Sequence, residues 1–329
     1  MRKEVSRRSF LSALSAGVGV SLLPQTSLVC GASLPEQAAS APVSEFLSPD
    51  SVRFSLNLGT IRNYNLNLKQ ELEVARDAGY RSVEIWFDRL ADYTRDGSQE
   101  FSKTKLAELK KFLDNEGLTI EGGIGFASWI VDEDDRRAAG LDELKRQAEA
   151  LAALGVKCVA APAAGANDKI EGIKKIADRF RATIELCEPF GVRPLLELWG
   201  PSATLCKLSD GLAICAETER DDAALLLDVY HLYRGGNSFS GLSLVAGSAL
   251  PIFHMNDYPA TPEREKLNDG DRVFPGDGVA PWRSILTTLG KNGFNGVLSF
   301  EIFNRSYCEK YTALEQAKLG LAKMRALFD

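Results

Sequence analysis

Histidine is scarce in this chain, with only His231 and His254 among 329 residues, so a histidine-rich multimetal centre is excluded. The six cysteines, at 30, 158, 187, 206, 215 and 308, include no close C-x-x-C pair, which argues against a thiolate zinc site. Cys206 and Cys215 are near enough in sequence to bridge, but the sequence does not require it. No basic block lies beyond the extreme N-terminus and the net charge is only −6, so no nucleic-acid surface is expected. The stretch Leu58-Gly59-Thr60-Ile61-Arg62 after the first predicted strand is no G-x-G-x-x-G, which argues against an open nucleotide-binding sheet. Segment lengths vary and no motif recurs, against a repeat architecture. The chain does have 45% hydrophobic content, ample for one large core.

The first thirty residues differ from the rest. Arg2, Lys3, Arg7 and Arg8 precede SFLSALSAGVGVSLL, a moderately apolar run too short for a stable transmembrane span. SRRSFL, from Ser6 to Leu11, resembles a twin-arginine signal, and Ala39-Ser40-Ala41 offers a small-residue cleavage site. We therefore expect residues 1–41 to be signal and cleavage region, 42–50 a leader and 51–329 one catalytic domain. The expected partner at this end is the twin-arginine export machinery, with a periplasmic or otherwise extracytoplasmic address.

Beyond the leader, short apolar runs alternate with helical patterns. Strands are predicted near 52–59, 81–87, 118–124, 157–162, 193–198, 223–229, 251–256 and 296–302. Leu68–Ala78, Lys103–Asn115, Leu141–Leu154 and Ile170–Glu188 have the length and apolar spacing of crossover helices, and another is expected over Trp282–Leu289 after Pro281. Eight strands with such crossovers predict a closed α/β (β/α)8 barrel, whose functional loops gather at the C-terminal strand ends.

Charges interrupt several of these apolar runs, each late in its strand. Glu197 ends PLLE, Asp228 follows ALLL, His254 lies in PIFH and Glu301 follows VLSF. One buried, unpartnered carboxylate costs several kcal/mol, on the order of the penalty for any uncompensated buried ion, and three together also repel. A single divalent cation resolves both costs. Three oxygen ligands and one imidazole suit Mn²⁺, the leading expectation, as well as Mg²⁺, Co²⁺ or Zn²⁺.

These residues resemble the xylose-isomerase-like barrel superfamily, in particular its sugar phosphate isomerase/epimerase branch. Glu197 in LLELW, Asp228 in LLLDVYH, His254 in IFHMND and Glu301 in LSFEIF match family metal-ligand positions in order. His231 matches a substrate-contacting histidine. Arg272, followed by Pro275-Gly276-Asp277-Gly278, matches a loop that carries a substrate-binding arginine. The resemblance spans about residues 52–325. Glu84 in SVEIW falls at a commonly acidic position and is expected to bind substrate or to support a metal ligand. Trp199, with Trp86, Trp129, Tyr230 and Phe303, is a candidate for the pocket wall.

The chemistry this implies is metal-dependent isomerisation or epimerisation of a nonphosphorylated ketose or related sugar by proton transfer through a metal-stabilised enediolate. Glu197 and Glu301 would exchange the proton. His231 and Arg272 would hold substrate oxygens. A dehydratase or lyase acting on an inosose or 3-keto-glycoside shares the first half-reaction, and a noncatalytic carbohydrate-binding barrel would keep the same residues. The expected partner is thus a small carbohydrate or polyol-derived ketone, and homo-oligomer formation is compatible with the resemblance. The charged loop from Tyr258 to Asp271 is either a solvated excursion or a lid.

Overall fold

The computed structural model describes residues 43–94 and 100–329. The predicted signal and cleavage region, 1–41, lies outside them. Eight parallel strands close into a barrel in sequence order, β1 (Arg53–Asn57), β2 (Ser82–Trp86), β3 (Thr119–Ile124), β4 (Cys158–Ala161), β5 (Arg193–Glu197), β6 (Ala224–Asp228), β7 (Ile252–Met255) and β8 (Val297–Phe300). β8 returns to pair with β1, so no edge is left open. All eight fall within the predicted segments.

Nine α-helices are present among the described residues. They are α1 (Leu68–Ala78), α2 (Phe87–Thr94), α3 (Lys103–Glu116), α4 (Asp134–Leu154), α5 (Ile173–Cys187), α6 (Leu208–Glu217), α7 (Val229–Arg234), α8 (Trp282–Lys291) and α9 (Ala313–Ala326). The start of α1 is fixed by a capping box between Asn67 and Gln70, and its end by Gly79, whose φ of 98° suits a residue without Cβ. α4 begins seven residues before the expected Leu141, because the polar turn from Asp134 carries acidic residues that suit a helix N-terminus but no apolar period. Residues 43–50, expected as a leader, contribute to the core: Val43 and Leu47 are buried, and the backbone at Phe46 lies so close to Gly290 of α8 that a Cβ there would collide with it.

Strand alternation separates two cores. One phase of each strand points outward against the helices. The other fills the barrel with Cys158, Ala160, Leu195, Ala224, Leu226, Ile252 and Val297, together with Ile124. Two residues beyond Leu195, Leu226 and Ile252 on this inward phase come Glu197, Asp228 and His254, and four beyond Val297 comes Glu301. Asn57 ends the same inward phase on β1, and Glu84 lies on it one step before Trp86 on β2. The period of two thus carries every one of these polar groups to a single end of the barrel.

Cys206 and Cys215 are free thiols, so they do not bridge. Among the described residues no helix is long and apolar enough to cross a membrane.

Candidate metal centre and cavity

Asp228, His254 and Glu301 each offer a ligand atom, and these atoms lie within 4.8 Å of one another. His254 is fully buried on β7. Its Nε2 lies 2.9 Å from Glu84 Oε2, and its Nδ1 faces Glu301 Oε2 at 3.4 Å and Asp228 Oδ2 at 4.0 Å. Glu84 accepts, so Nε2 carries a hydrogen and Nδ1 is the free ring position. That atom is buried without a hydrogen-bond partner. A lone pair there would point at two carboxylate oxygens, an arrangement that demands either a second proton or a cation between them. Burial alone lowers the His254 pKa, but Glu301 and Glu84 overcome it and push it well above its ordinary value. An imidazole nitrogen and two carboxylates around one point are a donor set that a divalent ion fits.

Glu197 stands outside that close triplet. It is buried, lines the cavity and keeps Oε2 without a partner. Burial, opposed by His254 and reinforced by Glu301, raises its pKa to about 8. A cation in the triplet would oppose that shift. Glu301 is held below the ordinary carboxylate range: burial pushes it up, but His254 and Arg272 win.

Arg272, expected to clamp substrate, is buried inside the cluster. Its Nη1 donates to Asp228 Oδ2 at 3.1 Å and Glu301 Oε2 at 2.9 Å, and its Nη2 donates to Asp269 Oδ1 at 2.6 Å. Nη2 also reaches His231 Nε2 at 3.0 Å. Arginine only donates, so His231 accepts at Nε2 and carries its hydrogen on Nδ1. Burial and the neighbouring Arg272 both lower the His231 pKa, which keeps this ring neutral. Its backbone N–H donates to Asp228 Oδ1 at 2.7 Å, because α7 starts directly after β6 and Asp228 caps it.

Glu84, expected from sequence to bind substrate or to support a metal ligand, faces the His254 imidazole and is absent from the cavity wall, which fits the second role. The reason is its depth: it is buried on the inward phase, one step before Trp86. This makes Glu84 the group that fixes the His254 tautomer. Of the expected aromatic wall, Trp86, Trp199 and Phe303 line the cavity. Trp129 does not, since it packs on Phe180 and donates to Pro162 O at 2.8 Å. Tyr230 lies beneath Arg272, 4.6 Å from ring centre to guanidinium carbon.

The sequence reading missed several groups. Asn57 Nδ2 donates to Glu301 Oε1 at 2.9 Å, and Asn256 Nδ2 donates to Asp228 Oδ2 at 2.6 Å. Both are strand-end amides, and position on the inward phase was the available signal for Asn57. Asp269 and Phe126 line the cavity from loops, where no period marks them. The charged loop from Tyr258 is tied down rather than free: Leu267 is buried, its carbonyl accepts from Arg234 Nε at 3.0 Å, and Asp269 holds Arg272.

The cavity above the cluster measures about 420 Å³. A larger one, about 1060 Å³, opens at the opposite end of the barrel among the first residues of β1 to β3, where none of these side chains reach. Function therefore belongs to the smaller cavity, at the C-terminal strand ends.

Residues 72–327 match the family described as Xylose isomerase-like TIM barrel. An inosose isomerase of Bacillus velezensis is 33% identical over 259 residues, covering 77% of this chain and 89% of that protein. A D-psicose 3-epimerase of Agrobacterium fabrum is 24% identical over 224 residues, covering 62% of this chain and 71% of the relative. Among solved structures, that of the IOLI protein with a binding zinc atom superimposes with a TM-score of 0.75 at 27% identity, covering 84% of this chain and 98% of that one. The closed barrel, the metal-competent triplet at its strand ends and these matches agree: the chain belongs to the xylose isomerase-like TIM barrel family.

Proposed function

We propose that this protein is a metal-dependent isomerase or epimerase of a small nonphosphorylated keto-sugar or cyclic polyol ketone. The observation that carries the reading is the convergence of Asp228, His254 and Glu301 beside Glu197, which lines the cavity. The relatives named inosose isomerase and D-psicose 3-epimerase support the reaction class.

Asp228, His254 and Glu301 would hold the metal, with Glu197 completing the set. Mn²⁺ is our assignment, although the zinc in the IOLI structure makes Zn²⁺ the first competitor. When bound, a divalent ion supplies Lewis acidity to a substrate carbonyl and so acidifies the adjacent C–H. Glu197, which lines the cavity, removes that proton. Glu301, ionised at rest, would return a proton from its own side of the cavity after taking one from a substrate hydroxyl or water. Neutral His231 donates through Nδ1–H, which is buried and without a partner, to a substrate oxygen. Trp199 and Phe303 cover apolar C–H faces. We also propose that SRRSFL directs export by the twin-arginine pathway, on the strength of the sequence alone; mass spectrometry of the mature N-terminus tests it, and an intact Met1 on exported protein would contradict it.

The test of function couples metal analysis to deuterium exchange over a panel of nonphosphorylated ketoses and inosose. Metal-dependent exchange at constant product mass supports isomerisation or epimerisation. Loss of water assigns a dehydratase instead, and binding without exchange assigns a noncatalytic barrel.

A further inference from the structure

The cavity has two chemically different halves. Against the cluster it presents Glu197, His231, Asp269, Arg272 and Glu301. Toward solvent it is walled by a continuous series of rings: Phe303 to Trp86 at 5.8 Å between centroids, Trp86 to Phe126 at 5.5 Å and Phe126 to Trp199 at 5.8 Å. Phe126, on the loop after β3, is 45% exposed, one of few large apolar side chains so placed among the described residues. An aromatic ring left in water at the lip of a binding cavity incurs a hydration cost that an occupant would relieve.

Charge narrows the occupant further. Arg272 is the only lysine or arginine among the described lining residues, and its charge is already shared by Asp228, Glu301 and Asp269. An anionic group at the outer end would meet no other cation among these lining residues, and Arg62, stacked on Trp86, is already paired with Asp88. Size points the same way, since about 420 Å³ lies within the roughly 300–1,000 Å³ range of pockets that enclose drug-sized ligands, and a lone six-carbon ring is smaller than those.

We infer that the preferred ligand is a neutral glycoside, with its keto-sugar ring at the cluster and its second ring on Phe126 between Trp86 and Trp199. The inference rests on the proposed proton-transfer site and adds an outer subsite to it.

The test compares binding of methyl β-D-glucoside and phenyl β-D-glucoside to metal-loaded protein by calorimetry. Wild type is expected to bind the phenyl glycoside about tenfold more tightly, the upper end of what one ring-on-ring contact contributes. Phe126→Ala should bring the ratio close to one, and Phe126→Trp should restore it. Equal affinities in wild type, binding of neither glycoside, or a ratio that survives Phe126→Ala would each overturn the subsite. Deuterium exchange into a free ketose by wild type is measured in parallel, and it reports on the proton-transfer reading without passing through Phe126.

Discussion

Two buried acidic groups at neighbouring strand ends show how differently a barrel can use a carboxylate. Asp257, just past β7, accepts from four donors: the backbone N–H groups of Tyr258 at 2.8 Å, Gly276 at 3.0 Å and Ala280 at 3.0 Å, and Trp282 Nε1 at 2.7 Å. A Cβ on Gly278 would collide with it, so the PG-D-G turn can wrap tightly around this anion. Its charge is fully solvated by fixed dipoles and nothing is left to react. A few residues away, the cluster of Asp228, His254, Glu301 and Glu197 leaves two buried polar atoms, His254 Nδ1 and Glu197 Oε2, without partners. The same residue types at the same depth build a knot in one place and a candidate reactive centre in the other, and the count of engaged atoms tells them apart.

Substitutions should separate the two. The largest effect is expected at Glu301→Gln, which keeps the fold by circular dichroism but lowers turnover of an assigned substrate by about 10²–10⁴-fold, the usual worth of a positioned acid or base. Wild-type turnover would remove Glu301 from the proton path. Asp257→Ala leaves four donors unpaired, two of them buried, and denaturant unfolding should show a loss of about 3–5 kcal/mol. A change below roughly 1 kcal/mol would mean the turn holds itself without the anion.

Glu71 on α1 offers a third arrangement. It is fully buried, neither oxygen has a hydrogen-bond partner, and Arg89 Nε approaches only to 3.4 Å. Burial, only partly offset by Arg89, raises its pKa to about 7. Folding therefore favours the protonated form. The stability this group contributes is full below its unfolded pKa near 4.5 and is lost as pH rises through about 7. The stability of wild type relative to Glu71→Gln should fall across that window by on the order of 2–3 kcal/mol, read from paired unfolding curves at several pH values. A pH-independent difference would contradict the assignment. The smallest effect is expected at Glu84→Gln, which should weaken metal affinity by about 10–100-fold in a chelator competition while sparing the fold, as loosening of an imidazole's outer partner does.

Strands β4 to β8 were legible as near-continuous apolar runs, and the charged groups at the ends of β5 to β8 stood out against that background. Period two then carried Glu197, Asp228, His254 and Glu301 to one end without further help. Helices α2 and α7 were not read because each begins on the residue after a strand, Phe87 after Trp86 and Val229 after Asp228, with no turn former between. α9 did carry a start signal, the Thr312–Glu315 capping box, which went unused. What sequence could not supply was the side-chain network: that Arg272 turns inward onto Asp228 and Glu301, that Glu84 backs His254, and that loop residues Asp269 and Phe126 finish the cavity. Those outcomes depend on distances between segments far apart in the chain.

The central claim is one divalent ion held by Asp228, His254 and Glu301. Elemental analysis by plasma mass spectrometry, after metal-replete preparation and desalting, addresses it directly for wild type and His254→Ala. The account predicts about one equivalent per chain in wild type and a large loss in a folded His254→Ala protein. Metal-free wild type, or unchanged content in the variant, would contradict it.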